Sequence, residues 1–227
     1  YKTIICNSEH DSEKEREYIE MLEANQVDGI ISGSHNLGIE DYNRVTAPII
    51  SFDRNLSPDI PVVSSDNYAG GVLAAQTLLK TGAQSIIMIT GNDNSNSPTG
   101  LRHAGFASVL PKAPIINVSS DFSPVRKEME IKNILTHQKP DAIFASDDLT
   151  AILVIKIAQE LGISVPEELK IIGYDGTYFI ENYYPQLATI KQPLEEIACL
   201  TVDLLLQKIE GKEVATTGYF LPVTLLP

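Results

Sequence analysis

The sequence has no long apolar run and no basic cluster, and both absences restrict what the protein does. No stretch approaches the roughly 20 consecutive apolar residues of a membrane-spanning helix, and the opening residues lack the basic and apolar regions of a signal peptide. The 17 Lys and Arg residues against 30 Asp and Glu residues give a formal net charge of −13. Such a surface repels phosphate backbones, so any contact with DNA is expected from another segment. We expect no membrane contact and a cytoplasmic location.

The sequence also lacks the motifs of common enzyme classes. It contains neither of the two glycine-rich phosphate-binding patterns, G-x-G-x-x-G and G-x-x-x-x-G-K-[ST], and no G-x-S-x-G nucleophile elbow. Its 4 histidines are scattered without metal-ligand spacing, so we expect no metal and no cofactor, and a hydrolase or metalloenzyme has little support. Its 2 cysteines are Cys6 in an apolar strand and Cys199 in an apolar helix, which predicts buried thiols in a reducing compartment.

What the chain does contain is a regular alternation of apolar strands with amphipathic helices. With 43% apolar residues it has enough material for a large core, and the alternation predicts an α/β fold with a parallel sheet covered on both faces. Each strand is short and rich in β-branched residues, as burial on two sides requires. The predicted strands are "KTIIC", "DGIIS", "PIISFD", "SIIMIT", "PIINV", "DAIFAS", "LKIIGYD" and "LATIK".

Several helix signals carry structural expectations of their own. Ser12 and Glu15 have the spacing of a capping box, which predicts a helix beginning after Ser12. Gly70 and Gly71 lie inside a helical pattern at a cost of about 1 kcal/mol each relative to Ala, which predicts close backbone packing there. A long helix near the carboxyl terminus is apolar on more than one side and ends before Gly211, so part of it is expected to face a partner subunit.

Polar side chains follow several of the predicted strands, at the edge where open α/β sheets hold ligands. Asp147 suits the N-cap of the helix that follows it, and capping is its favoured role. Asp175, which precedes Gly176, has three roles open: bonding its own turn, holding a ligand, or acid–base chemistry. Arg102 lies near the start of a helix, where a solvated surface arginine is the commoner case. The strand-end groups are Asp53, Asp121 with Phe122, Ser146 with Asp147 and Asp148, and Asp175.

Taken together, these groups favour recognition of a polyhydroxylated ligand. Vicinal sugar hydroxyls bridge Asp and Arg side chains, and the apolar face of a sugar stacks on an aromatic ring such as that of Phe122. This chemistry needs no nucleophile. An enzyme that uses paired aspartates on a sugar stays open as a rival at this stage.

Seven motifs occur in an order that resembles the effector-binding core of the lac/gal repressor family of bacterial transcription regulators. The resemblance covers essentially the whole chain, and the ordered set is far more specific than any single motif. The motifs are "VDGII" (27–31), "SFDR" (51–54), "SSDNYAGG" (64–71), "SPTGLRHAGF" (97–106), "PDAIFASDDLTA" (140–151), "GISVPEELKIIGYDG" (162–176) and "YPQLATIKQP" (184–193).

The resemblance implies an α/β fold of two similar Rossmann-like subdomains with mostly parallel sheets, joined by three crossover strands, as in type I periplasmic-binding-protein-like folds. An N-terminal subdomain is expected from residues 1–65 and 191–220, and a C-terminal subdomain from residues 66–190 and 221–227. A sugar is expected in the cleft between the two subdomains.

The resemblance also assigns ligand contacts one position at a time. Arg102 matches the arginine that brackets sugar hydroxyls, and Asp175 matches the strand-end aspartate that accepts from them. Phe122 matches a stacking aromatic, and Asp53 matches a position that contacts ligand in some members. Ser146 stands where many members have asparagine, which implies that a different hydroxyl pattern is recognised. The implied set also includes the adjacent Asp148.

The implied function is that of a sugar-responsive, non-enzymatic repressor core, and residues 173–193 look most like regulators of sucrose utilisation. Its implied partners are a small-molecule sugar, a second copy in a homodimer, a corepressor protein, and operator DNA. The DNA contact is expected through an N-terminal head. This head and the first strand of the core are expected to be missing from this chain. The alternative is a secreted sugar-binding receptor of a transporter, which has the same bilobed fold.

Overall fold

The computed structural model describes residues 1–9, 11–33, 42, 44–91 and 97–227, which form two compact units. Unit 1 comprises Tyr1–Ser65 and Leu194–Leu221, and unit 2 comprises Asp66–Pro193 and Pro222–Pro227. This division differs from the expected one at two places. Residues 191–193 fall in unit 2, because strand β8 (Ala188–Lys191) continues through Lys191 in the unit 2 sheet, and Leu221 falls in unit 1, because it ends β9 (Tyr219–Leu221) in the unit 1 sheet.

The described residues contain helices and strands largely in alternation. The helices are α1 Ser12–Ala24, α2 Asn67–Lys80, α3 Pro98–Val109, α4 Pro124–His137, α5 Asp148–Glu160, α6 Tyr178–Tyr183 and α7 Leu194–Ile209. The strands are β1 Ile30–Ser32, β2 Ile49–Phe52, β3 Val62–Ser65, β4 Ile86–Thr90, β5 Ile115–Asn117, β6 Ala142–Ala145, β7 Lys170–Asp175, β8 Ala188–Lys191, β9 Tyr219–Leu221 and β10 Thr224–Leu226. Of these, β1, β2 and β4 to β8 fall within predicted apolar runs, whereas β3, β9 and β10 do not.

Each unit is built around a largely parallel sheet. The unit 1 sheet has the order β1-β2-β3-β9 and is parallel at every pairing. The unit 2 sheet has the order β10-β8-β7-β6-β4-β5, and of its pairings only that of β10 with β8 is antiparallel. In unit 2 the strands contribute to two buried clusters, one that includes residues of α4 and α5 and one that includes residues of α2 and α3. The predicted α/β class with parallel sheets is confirmed.

Some local expectations are wrong. The segment "KTIIC" is not a strand among the described residues, since a strand needs a hydrogen-bonded neighbour, and Ile5 is exposed. Helix α1 is capped by Asp11 rather than Ser12, because the Asp11 side chain accepts from the backbone N–H groups of Glu13 and Lys14. Cys199 is exposed rather than buried. Helix α7 has apolar residues on several sides, but it buries only the side that carries Ile197, Thr201 and Leu204.

Close backbone packing at Gly71 is confirmed where α2 crosses α3. A Cβ atom added at Gly71 would lie 2.0 Å from the carbonyl oxygen of Arg102, and one added at Gly105 would lie 2.0 Å from that of Tyr68. Each glycine thus admits the backbone of the other helix. This crossing fixes the position of α3, which carries Arg102, against α2.

Candidate functional site

Three adjacent strands of unit 2 end beside one another and position most of the candidate side chains. Strands β7, β6 and β4 are neighbours and parallel, so their carboxyl ends meet at one edge of the sheet. Asp175 is the last residue of β7, and Ser146 follows β6 directly. Arg102 reaches the same edge from α3, whose N-cap is Ser97 with Pro98 at the first helical position.

Arg102 is a buried and fully oriented cation rather than a solvated surface residue. Its side chain is among the buried polar groups, at 6% exposure. Nε donates to Oδ1 of Asn67 at 2.8 Å, and Nη1 donates to the backbone carbonyl oxygen of Ser146 at 2.7 Å. The guanidinium carbon lies 3.6 Å from the ring centroid of Tyr174, in cation–π geometry. These contacts leave the guanidinium one orientation.

Asp175 stands beside this guanidinium in an unusual backbone conformation. Its φ angle is 124°, which non-glycine residues rarely adopt. Nε2 of Gln192 donates to Oδ1 of Asp175 at 2.7 Å. Nη2 of Arg102 lies 3.7 Å from that same oxygen, within ion-pair range but beyond a normal hydrogen bond. The two groups thus form an ion pair without a direct hydrogen bond between them.

The surroundings of Asp175 raise the pKa of its carboxyl group to about 6. Burial is the largest cause, since it penalises the charged form. The Arg102 guanidinium and the hydrogen bond from Gln192 lower the pKa, and the nearby carboxylates of Asp148 and Asp147 raise it. Asp175 is therefore a carboxyl group that titrates near neutral pH.

Asp148 is bound by protein groups on both carboxylate oxygens. The residue is buried, and Oδ2 accepts from the backbone N–H of Gly176 at 2.8 Å. Oδ1 accepts from the hydroxyl of Thr189 at 2.6 Å. Burial raises the pKa of Asp148, while the bonds from Thr189 and Gly176 oppose that rise. Its contacts are those of a group that joins α5 to β7 and β8.

The neighbouring residues Ser146 and Asp147 make their side-chain contacts within their own segment. Asp147 caps α5 as the sequence predicts, because its Oδ1 accepts from the backbone N–H of Thr150 at 2.8 Å. Ser146 is buried and contributes its backbone carbonyl to Arg102. Its hydroxyl lies 3.4 Å from Oδ2 of Asp147. In the described contacts, Ser146 therefore reaches the guanidinium through its backbone.

The two other candidates make their described contacts elsewhere. Phe122, beyond the end of β5, packs partly buried against the cluster that includes α4 and α5, and the guanidinium carbon of Arg126 lies 3.6 Å from its ring centroid. Asp53 belongs to unit 1, where its φ angle is 64° and its Oδ1 accepts from the hydroxyl of Ser64 at 3.1 Å. The structure therefore joins Arg102 and Asp175 directly and adds the backbone of Ser146, and the roles of Phe122 and Asp53 stay predictions.

Three residues that hold this site are missing from the predicted set: Asn67, Tyr174 and Gln192. Gln192 directly follows β8, so the strand-end rule that selects Asp175 also selects it. Asn67 begins α2 and lies 35 positions from Arg102, and no local pattern pairs them. Tyr174 lies inside a predicted strand, so its sequence position indicates only a core residue, and it is fully buried.

The described residues form neither a metal-binding cluster nor a membrane-spanning helix. No group of three or more His, Cys, Asp or Glu side chains among them is arranged to hold a metal ion. No helix formed by them is both long enough and apolar enough to cross a membrane.

Two units with largely parallel sheets, and polar side chains at a strand-end edge, are typical of α/β ligand-binding proteins. Comparison with known proteins points to the same class. The family model of a periplasmic binding protein-like domain matches residues 75–227. A crystal structure of a periplasmic binding protein/LacI transcriptional regulator from Alkaliphilus metalliredigens, complexed with D-xylulofuranose, superposes with a TM-score of 0.87. It is 32% identical in sequence, and the match covers 100% of this chain and 86% of that one.

The chain therefore has the periplasmic-binding-protein-like fold. Two sucrose operon repressors are more similar in sequence. That of Streptococcus mutans is 64% identical over 226 residues, which cover 100% of this chain and 70% of that protein. That of Lactococcus lactis is 49% identical over 229 residues, which cover 99% of this chain and 70% of that protein. The chain belongs to the lac/gal repressor family and forms its effector-binding core.

Proposed function

We propose that this chain is the sugar-sensing core of a repressor that controls sucrose utilisation. The observation that carries the proposal is the fixed pair of Arg102 and Asp175, whose Nη2 and Oδ1 atoms lie 3.7 Å apart. A guanidinium only donates hydrogen bonds and a carboxylate only accepts them, whereas a sugar hydroxyl does both. Adjacent hydroxyls of one sugar ring therefore satisfy both groups at once. The two relatives named as sucrose operon repressors support sucrose as the operon's substrate.

The same geometry argues against catalysis, because glycoside chemistry needs a second carboxyl group free to exchange a proton. Among the described residues, the buried carboxylate of Asp148 is already occupied, since its two oxygens accept from Gly176 and Thr189. We propose that the core binds its sugar unchanged and acts in the cytoplasm. A secreted receptor of a transporter has less support, since the relatives named above are repressors.

The mechanism follows from linkage between sugar and operator DNA. A sugar that prefers one conformation of the repressor shifts the population toward it, and only this difference in affinity changes operator binding. The proposed contacts of Phe122 and Asp53 with the sugar, and a corepressor protein as a further partner, stay predictions.

Calorimetric titration tests the function directly. We expect saturable binding of sucrose, fructose or a phosphorylated derivative, and no turnover of sucrose on prolonged incubation. The same sugar should change the affinity of the full repressor for sucrose-operon DNA. Binding of none of these sugars would contradict the proposal, and so would release of glucose and fructose from sucrose.

The pKa of Asp175 predicts a pH dependence of sugar binding. The ionised carboxyl group is the stronger acceptor for hydroxyls. With a pKa of about 6 its ionised fraction falls by about tenfold between pH 7 and pH 5, and we expect the affinity to fall with it. Unfolding does not explain such a loss: the folded pKa is above the ordinary 3.8, so protonating Asp175 in this range favours the folded state. Calorimetry at several pH values measures the effect. Asp175→Asn should bind weakly at every pH, and an unchanged wild-type affinity at pH 5 would exclude the carboxylate as acceptor.

We also propose that the core forms a homodimer through an α6 aromatic patch, defined as Tyr178, Phe179 and Tyr183, and the contact of α7 with a partner subunit stays a prediction. These side chains are 78%, 50% and 68% exposed, and the rings of Phe179 and Tyr183 lie 5.0 Å apart. Contiguous exposed aromatics mark contact surfaces. The double variant Tyr178→Glu/Tyr183→Glu should sediment as a monomer, and Leu79→Glu, on α2, should remain dimeric. A dimer that survives the double change would assign the interface to another surface.

A further inference from the structure

The contacts of Asp148 suggest a role that differs from ligand contact. This carboxylate is buried, at 3% exposure, and it accepts from a backbone donor directly after β7 and from a side-chain donor on β8. Gly173 leaves the space that the carboxylate occupies, since a Cβ atom there would lie 2.2 Å from Oδ1 of Asp148. The site is therefore shaped around Asp148, and Asp148 in turn touches the backbone next to Asp175.

The residue after Asp175 is the one that Asp148 binds. Asp175 adopts a φ angle of 124°, a conformation that costs free energy unless its surroundings impose it. Gly176 follows it with a φ angle of 58°, and its N–H points to Oδ2 of Asp148 at 2.8 Å. The peptide between Asp175 and Gly176 is thereby fixed at its amide end. On the other side, the backbone carbonyl of Asp175 accepts from the N–H of Gln192 at 3.0 Å.

We propose that Asp148 is the positioning residue of the sugar site, which holds the peptide after Asp175 so that the Asp175 carboxylate faces Arg102. This inference rests on the proposed sugar-binding function of that pair. Asp148 then acts on the ligand only through Asp175. Thr189 completes the arrangement by orienting the Asp148 carboxylate from β8.

A matched set of variants separates positioning from simple loss of charge. Asp148→Ala removes the acceptor for the Gly176 N–H. Asp148→Asn keeps an amide oxygen that accepts from Gly176, and its NH₂ group donates to the hydroxyl oxygen of Thr189. Asp147→Asn removes a neighbouring charge but keeps the α5 cap and leaves the Gly176 bond untouched. Thr189→Val removes the hydroxyl that orients the Asp148 carboxylate but keeps the carboxylate as acceptor for Gly176.

Hydrogen exchange of the Gly176 amide is the first measurement, and it needs no sugar. We expect exchange at least about tenfold faster in Asp148→Ala, as loss of a hydrogen bond to a charged group implies. Asp148→Asn and Asp147→Asn should stay within about threefold of wild type, and Thr189→Val should lie between them and Asp148→Ala. Wild-type protection in Asp148→Ala would overturn the inference.

Titration of the Asp175 carboxyl group by NMR is the second measurement and also serves if Asp148→Ala does not fold. In the described part of the chain, the charged groups around Asp175 are Arg102 from α3, Asp148 from α5 with its N-cap Asp147, and Lys191 on β8, which is the register partner of Asp175. In Asp148→Asn a negative neighbour is lost while the geometry is kept, so the midpoint should move to lower pH. A midpoint that rises or stays constant would show that Asp148 does not face this carboxyl group.

Lys191 provides a check on that titration, since its ammonium group is paired with the carboxylate of Glu181. Lys191→Gln should therefore move the Asp175 midpoint less than Asp148→Asn does. A larger shift in Lys191→Gln than in Asp148→Asn would show that the Asp175 carboxyl group responds mainly to β8 rather than to α5, and would overturn the inference.

Sugar affinity is the third measurement and separates the two proposals. If wild type binds sugar, Asp148→Ala should bind at least about tenfold more weakly and Asp148→Asn within about threefold. Equal affinities in Asp148→Ala and wild type would overturn the positioning role. If wild type binds no sugar, the proposed function fails, and the amide exchange and the titration still decide whether Asp148 positions Asp175.

Discussion

Arg102→Ala is expected to lower sugar affinity by about a hundredfold or more while the chain stays folded. The guanidinium supplies charge-assisted hydrogen bonds worth about 1.5–3 kcal/mol each, and loss of two corresponds to at least that factor. The truncation also removes the partner of Asp175, whose carboxylate is then held beside the sugar without a counter-charge. Isothermal titration calorimetry with the sugar that wild type binds measures the change.

Two further variants serve as comparisons for Arg102→Ala: Arg102→Lys as a conservative change and Lys156→Ala as a control. Lysine keeps the charge but lacks the planar fork, so we expect an intermediate affinity, with the contacts to Asn67 and the Ser146 carbonyl lost or weakened. Lys156 is an exposed cation on α5 that pairs with Glu128, and its loss should leave the affinity unchanged. Wild-type affinity in folded Arg102→Ala protein would place the sugar site elsewhere.

Gly71→Ala is expected to destabilise the chain by about 3 kcal/mol or more, the upper part of the range for overpacking. The added Cβ atom would lie 2.0 Å from the carbonyl oxygen of Arg102, a backbone atom that moves only if α3 moves. For a protein of this size, such a loss lowers the melting temperature by about 6–12 °C. Because α3 carries Arg102, sugar affinity should fall as well. Thermal unfolding and calorimetry of the same sample test both effects.

Gly91→Ala is the matched control for this substitution. Its added Cβ atom would meet its nearest neighbour at 3.9 Å, an ordinary contact, so we expect a change within about 0.5 kcal/mol. A melting temperature of Gly71→Ala equal to that of Gly91→Ala would show that α2 and α3 separate at little cost.

Much of the fold is predictable from local sequence because strands and helices have different apolar periods. Strands β1, β2 and β4 to β8 fall within predicted apolar runs, and the Asp147 cap of α5 follows from local chemistry. The segment "KTIIC" shows the limit of this reasoning, since its composition suits a strand but a strand needs a neighbour. Cys199 shows another limit, because a helix that is apolar all round does not reveal its buried side.

The candidate site was only half predictable. Strand-end placement and family resemblance point to Arg102 and Asp175, and the structure puts them side by side. Asn67 and Tyr174 could not be identified in this way, because they act on Arg102 across the α2–α3 crossing and from inside a strand. Asp148 was expected to contact ligand, but its described contacts are with Gly176 and Thr189, which are 28 and 41 positions away.

The sequence by itself determined the class of fold, the family and the residue types at the sheet edge, since these follow from periodicity, composition and ordered motifs. Only the tertiary structure decided which of those residues have their polar groups satisfied by the protein. Burial of Arg102, the raised pKa of Asp175 and the binding of Asp148 to Gly176 all come from groups distant in sequence. The physical reason is that desolvation and hydrogen bonding depend on every neighbour in space, whereas a local pattern records only neighbours along the chain.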